Sequence, residues 1–126
     1  LGEEVIQENN MRYGSIIRRN FKLRWNVQNV EDHHVIPRQF KNHPVVKYLR
    51  YDVNDSKNII MMPRYLLPGL RENRLTHRGG HKKYNDYVGN VLDSLDTLDE
   101  PEKDFKLFTE FLKTACRFRP QDIPWK

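Results

Sequence analysis

A chain of 126 residues with 37% hydrophobic and 31% charged residues is long enough for one globular domain with a modest core. Its single cysteine, Cys116, excludes an internal disulfide and any multi-cysteine zinc site, and no apolar stretch approaches the roughly 20 residues needed to cross a membrane. The net charge of +5 favours a polyanionic partner.

The first third of the chain combines one helical pattern with two extended ones. Apolar residues recur at helical spacing over residues 3–18, which predicts a helix there. Residues 21–27 alternate strictly between apolar and polar side chains, which is typical of a half-buried strand. Residues 30–36 are predicted to form a second extended segment, which Pro37 ends.

The remaining two thirds are predicted to be mostly helical. A short helix is expected after His43-Pro44, and a short apolar strand over residues 57–62 ends at Pro63. Two longer helices are expected over about residues 80–95 and 101–118. The predicted buried face of the last helix consists of Phe105, Phe108, Phe111, Leu112 and Ala115. Together these elements predict an α+β fold with few strands.

Two adjacent histidines stand in the run Asp32-His33-His34-Val35-Ile36-Pro37. Because successive strand residues point to opposite faces, one ring can bind a metal ion while the other faces a substrate. Further along, His77 and His81 are spaced i and i+4, so both can reach one ion from one side of a helical turn. The amide of Asn58 could fix the tautomer and the ring angle of the base.

These residue types suit the cleavage of a phosphodiester bond. A neutral histidine, here His33 or His34, can accept the proton of an attacking water, and a divalent metal ion can neutralise the phosphate. Basic side chains near the histidines in sequence could hold the phosphate backbone. They are Arg64, Arg71, Arg74, Arg78, Lys82 and Lys83.

Over residues 30–92 the chain resembles the His-Me finger (ββα-metal) nucleases. The closest resemblance is to the branch of the HNH/endonuclease VII superfamily that is named for an Ala-His-His motif. The matching residues are His33-His34-Val35-Ile36-Pro37, then Asn58 at the head of an apolar strand ending in Pro63, then His77-x-x-x-His81 followed by Tyr84.

The resemblance implies a role for each of these positions. His34 would be the general base, His33, His77 and His81 would bind the metal ion, and Asn58 would orient His34. Two positions depart from the pattern. Asp32 replaces the alanine of the motif, where it could support His33 or bind the metal ion itself, and Ile59 stands where a glycine is usual.

The resemblance also implies the fold and the reaction. It predicts a ββα-metal finger, a β-hairpin plus a helix, embedded in a mostly helical single domain over residues 1–126, with the helices at 3–18 and 101–118 as additions. The reaction would be endonucleolytic hydrolysis with one divalent ion (Mg, Mn, Zn or Ni), giving 5′-phosphate and 3′-hydroxyl ends. DNA would be cut with weak sequence specificity.

Several alternatives stay open at this point. The chain could be a ribonuclease that attacks through the 2′-hydroxyl, or a nucleic-acid-binding module that keeps the fold without cutting. An acidic inhibitor or immunity protein is a further partner if the chain is a toxin domain, and a homodimer is a further assembly. We expect no membrane partner. The sequence does not fix the cellular location, and delivery as part of a larger secreted protein is one alternative.

Overall fold

A computed structural model describes residues 15–24, 29–66 and 68–126. Its helices and strands follow one another as α1 (Ser15–Arg24), β1 (Val30–His34), α2 (Pro44–Tyr48), β2 (Ile59–Pro63), α3 (Lys82–Leu95) and α4 (Glu102–Phe118). Short 3-10 turns lie at Arg38–Phe40, Ser56–Asn58 and Pro120–Asp122. The predicted α+β fold, a β-hairpin among helices, is confirmed.

The two strands pair antiparallel across a long connection that contains α2. Val30 pairs with Pro63 at one end and His34 with Ile59 at the other. Ile59 has an extended backbone with φ −121° and ψ 129°, so this position needs no glycine. The departure from the family pattern at Ile59 therefore leaves the hairpin backbone regular.

The core lies where β2 meets α3 and α4. Every residue of β2 is buried, and the fully buried side chains on the two long helices include Tyr84, Val88, Leu92 and Leu112. The predicted apolar face of α4 is confirmed except at Phe111, which is 37% exposed and lies outside the core. The long helices thus cover the hairpin and leave the face that bears His34 accessible.

Helix α1 replaces the strand that was predicted over residues 21–27. Residues 21–24 are helical, so the prediction is wrong there, whereas residues 1–14 and 25–28 lie outside the described residues. The helix is held by Arg18 and Lys22, spaced i and i+4, whose side chains both pair with Asp32. The apolar Leu23 is 69% exposed, so its alternation with polar neighbours reflects no buried face.

Within the described ranges, no helix is both long enough and apolar enough to span a membrane.

Candidate active site and metal centre

The side chains of the two histidines of β1 point to opposite faces of the strand. His33 is fully buried, whereas His34 is half-buried and faces an open cavity of about 270 Å³. This is the alternation that the strand pattern predicted. The residues lining the cavity are Asp32, His33, His34, Pro37, Arg38, His77 and His81.

The three predicted histidine ligands meet at the wall of this cavity. One ring nitrogen each from His33, His77 and His81 lies within 4.8 Å of the other two. The centroids of the three rings are 5.1 to 5.3 Å apart. The spacing suits a shared ion, which needs several ligand atoms converging on one point.

The route by which His77 and His81 reach His33 differs from the predicted helical turn. His77 lies in an irregular segment before α3, and its backbone N–H donates to the carbonyl of Pro63 at 2.7 Å. Gly79 then turns the chain with φ +72°, a conformation that glycine adopts without strain. His81 is the N-cap residue of α3, which begins at Lys82 rather than near residue 80.

A hydrogen bond from one ring nitrogen to a neighbouring side chain orients each of the rings of His77 and His81. The Nδ1–H of His77 donates to Glu31 Oε2 at 3.0 Å, and the Nδ1–H of His81 donates to Asn85 Oδ1 at 2.9 Å. In the neutral rings each Nε2 therefore keeps its lone pair. Metal-binding histidines are commonly held in this way by a carboxylate or carbonyl. The sequence pattern identified neither Glu31 nor Asn85.

The third ring, that of His33, has its Nδ1 available for a metal ion. His33 Nε2 lies 3.8 Å from Cys116 Sγ, and His33 Nδ1 is buried without a hydrogen-bond partner among the residues that the structure describes. A buried polar atom without a partner is costly. A metal ion bound at this nitrogen, together with His77 Nε2 and His81 Nε2, would remove that cost, so the three rings fit a divalent ion.

The environment favours the neutral form that a ligand requires. Burial, together with the nearby rings of His77 and His81, lowers the pKa of His33 well below its ordinary value. Burial, together with His77, also lowers the pKa of His81. Neutral imidazole nitrogens suit Zn²⁺, Ni²⁺ or Co²⁺ better than Mg²⁺, which prefers oxygen.

His34 is held by an asparagine other than the one predicted. Its Nε2–H donates to Asn54 Oδ1 at 3.2 Å, which leaves the Nδ1 lone pair available. Asn54 is itself fixed in a turn, because its backbone N–H donates to Asp52 Oδ1 at 2.9 Å. Burial lowers the pKa of His34 from its ordinary value, and the hydrogen bond to Asn54 opposes that shift. The sequence pattern did not identify Asn54 as a partner of His34.

Asn58 does not make the expected contact with His34. It is fully buried, and both acceptor positions and both amide hydrogens of its side chain have other partners. These partners are the Ile36 N–H (2.9 Å), the Tyr51 hydroxyl (2.8 Å), the Ile36 carbonyl (3.0 Å) and the Val53 carbonyl (2.7 Å). Asn58 therefore fixes the backbone two residues after His34 and does not touch the ring.

Asp32 has neither of the roles that were considered for it. Its carboxylate accepts from Arg18 Nε at 3.2 Å and from Lys22 Nζ at 3.0 Å. It lies on the same face of β1 as His34 and is outside the group of three histidines. Asp32 thus connects α1 to the edge of the cavity instead of supporting His33 or the metal site.

One of the cations predicted to bind phosphate is not available to a substrate. Arg74 is 3% exposed, and its guanidinium donates to the carbonyl of Cys116 at 2.7 Å, near the end of α4. Its charge complements the partial negative charge at that helix end. The predicted phosphate contact of Arg74 is therefore wrong, and its role is structural.

The other predicted cations remain on the surface. Arg64 pairs with Glu31 at 3.1 Å, Lys82 pairs with Asp86 at 2.6 Å, and the Arg78 guanidinium lies over the Tyr65 ring at 4.8 Å. The side chains of these three cations and of Lys83 are exposed. Arg38 lines the cavity beside His34, although the sequence pattern did not identify it.

A comparison with protein families places these residues in a known context. A family model described as AHH, a nuclease family of the HNH/endonuclease VII superfamily with a conserved Ala-His-His motif, matches residues 22–115. The match covers β1, β2, α3 and the histidines of the cavity. Searches among curated proteins and among solved structures find no significant match.

Proposed function

This chain belongs to the AHH family of nucleases in the HNH/endonuclease VII superfamily, and from that premise we propose that it is a metal-dependent endonuclease acting on DNA. Membership in a nuclease family implies a nucleic-acid substrate and hydrolysis of its phosphodiester bonds. The proposal rests on one arrangement: His34, with an available Nδ1, lines the same cavity as the three convergent histidines.

We assign the general base to His34 Nδ1. The water oxygen forms a bond to phosphorus while its proton passes to Nδ1, and the bond from phosphorus to the 3′-oxygen breaks. The departing oxygen takes up a proton, which leaves 5′-phosphate and 3′-hydroxyl ends. Asn54 holds the ring during this step by accepting the Nε2–H.

His33, His77 and His81 are the residues that would hold the metal ion. When bound, a divalent ion supplies positive charge that stabilises the phosphate and the departing oxygen. The three nitrogen donors support a transition-metal ion such as Zn²⁺ or Ni²⁺, with Mn²⁺ and then Mg²⁺ binding more weakly.

The cations at the surface would hold the phosphate backbone. Arg38 borders the cavity, and Arg78 and Lys83 extend positive charge along the segment that contains the histidines. On the other side, an ion pair of 3.0 Å with Asp32 places Lys22 of α1 next to the cavity. Contacts of this kind position the backbone but do not read base sequence, which supports weak sequence specificity.

The proposal is tested by digesting plasmid DNA and single-stranded RNA with the metal-free chain after adding Zn²⁺, Ni²⁺, Mn²⁺ or Mg²⁺, each with and without EDTA. We expect nicked and linear DNA with at least one ion and none with EDTA. RNA cleavage that persists in EDTA would indicate a metal-independent ribonuclease. Intact DNA and RNA under every condition, with salt-sensitive binding retained, would indicate a non-cutting module.

A substitution at Asn54 tests the orientation of the base. Asn54→Ala removes the acceptor for the His34 Nε2–H, so the ring loses its fixed tautomer, and we expect kcat to fall by about tenfold or more. Because Asn54 is exposed, the midpoint of thermal unfolding should stay near the wild-type value. Asn42→Ala, at another exposed turn position, is the matched control and should keep full activity. An unchanged kcat for Asn54→Ala would contradict the assignment.

A further inference from the structure

Trp125 connects the two ends of the segment that bears His77 and His81. Its indole N–H donates to the carbonyl of Thr76 at 3.1 Å, one residue before His77. Its backbone carbonyl accepts from the N–H of Tyr84 at 3.1 Å, three residues after His81. Residues 77–81 lie outside α3, so no run of helical hydrogen bonds fixes their path. The contacts of Trp125 restrain both ends of this irregular segment.

The indole ring of Trp125 also packs against all three histidines. Its centroid is 4.8 Å from that of His81 with an interplanar angle of 34°, and 5.3 Å from that of His33. The distance to His77 is 6.3 Å. These separations lie in the range of favourable ring packing. One rigid side chain therefore limits the rotation of three rings at once.

Trp125 lies beyond the part of the chain that resembles the nuclease family. The family match ends at residue 115, and the chain then completes α4, makes the turn Pro120–Asp122 and returns to the histidines. Ile123, two residues earlier, is buried in the core and anchors this return. The contact with the histidines is thus formed by residues outside the family match.

From these contacts we propose that Trp125 is a positioning residue that preorganises the three histidines for a divalent transition-metal ion. This inference rests on the metal site of the proposed function. A ligand set that is already ordered loses less conformational freedom when the ion binds. Partners that orient metal ligands without touching the ion commonly change affinity by about 10- to 100-fold.

The first test measures the Kd for Zn²⁺ and Ni²⁺ by competition with a chromophoric chelator. We expect Trp125→Ala to raise Kd by about tenfold or more, and Trp125→Phe, which keeps an aromatic ring without the indole N–H, to restore most of the affinity. Leu95→Ala is the matched control, because it removes a buried side chain at the opposite end of α3 from His81. It should lower stability and leave Kd unchanged.

Two outcomes would overturn the inference while the proposed function stands. One is a Kd for Trp125→Ala within twofold of wild type, and the other is a rise in Kd for Leu95→Ala equal to that for Trp125→Ala. The second outcome would mean that any loss of stability weakens metal binding. If the wild-type chain binds neither ion, the inference fails, and the digestion with Mn²⁺ or Mg²⁺ decides whether the proposed function stands.

A spectroscopic test uses the position of the indole itself. The chain has two tryptophans, so Trp25→Phe leaves Trp125 as the only tryptophan, whose emission is excited selectively at a wavelength that tyrosine does not absorb. We expect Ni²⁺ to quench this emission on binding and His33→Ala to abolish the quenching, because the indole packs on the ligand rings. Full emission from Trp125 while the chelator assay reports bound Ni²⁺ would overturn the proposed contact.

Discussion

His34→Ala should reduce DNA cleavage by about 10²- to 10⁴-fold, the usual contribution of a general base. Its affinity for metal and its free energy of unfolding should stay near the wild-type values. The ring is half-buried, and its hydrogen bond to the exposed Asn54 contributes little to stability. The rate should be measured in single turnover with enzyme in excess, so that a change in substrate affinity does not obscure the chemical step.

His43→Ala is the matched control for this substitution. His43 caps α2 by accepting from the Val45 N–H at 3.2 Å and pairs with Asp93 at 2.8 Å, so it lies outside the cavity. Its loss should cost about 1 kcal/mol of stability, as a lost N-cap does, and leave the cleavage rate intact. If His34→Ala cleaved DNA at more than a tenth of the wild-type rate, the assignment of the base would be wrong.

The convergence of His33 with His77 and His81 could be predicted because the chain resembles the nuclease family at these residues, whereas short-range geometry predicted only how His33 and His34 face. Because successive side chains of a strand point to opposite faces, His33 and His34 must face opposite sides of β1. The predicted reason for His77 and His81 was wrong in detail, since a turn at Gly79 replaces the helical spacing. The outcome is the same because the motif identifies which residues meet, whereas the local backbone path follows from packing.

The residues that support the site depend on contacts between distant parts of the chain. Glu31 reaches His77 across 46 positions, and Asn54 reaches His34 across 20. No local pattern shows whether Asn54 or Asn58 contacts His34, since the two lie close together in sequence and either amide could hydrogen-bond a ring. The path of the connection between β1 and β2 decides which amide faces the cavity.

The predictions for α1 and Arg74 were wrong for the same reason, because contacts between distant parts of the chain decide both. Alternation over residues 21–24 predicted a strand, but the pairing of Arg18 and Lys22 with Asp32 favours a helix there. Arg74 is charged and close in sequence to His77, so its burial against the end of α4 has no local signal. Charged side chains are rarely buried without a partner, and here the helix carbonyls provide one.

Asn58→Ala should destabilise the fold more than any other substitution considered in the candidate site. The amide has four hydrogen bonds to groups of Ile36, Tyr51 and Val53. Each buried partner left unsatisfied costs about 1–3 kcal/mol, and a domain of this size has only about 5–15 kcal/mol of stability. We therefore expect a loss of several kcal/mol, measured as a lower midpoint of urea unfolding, with cleavage falling in parallel with the folded fraction.

Asn54→Ala should slow cleavage and leave stability near wild type, so it serves as the comparison for Asn58→Ala, which should lower stability. Asn54 contacts the ring of His34 from an exposed turn, whereas Asn58 is buried and contacts the backbone that follows the ring. If Asn58→Ala kept its free energy of unfolding within about 1 kcal/mol of wild type and still lost cleavage, Asn58 would act on the chemical step, and its assignment to the fold would be wrong. A stable, slow Asn54 variant beside an unstable Asn58 variant would separate orientation of the base from support of the hairpin.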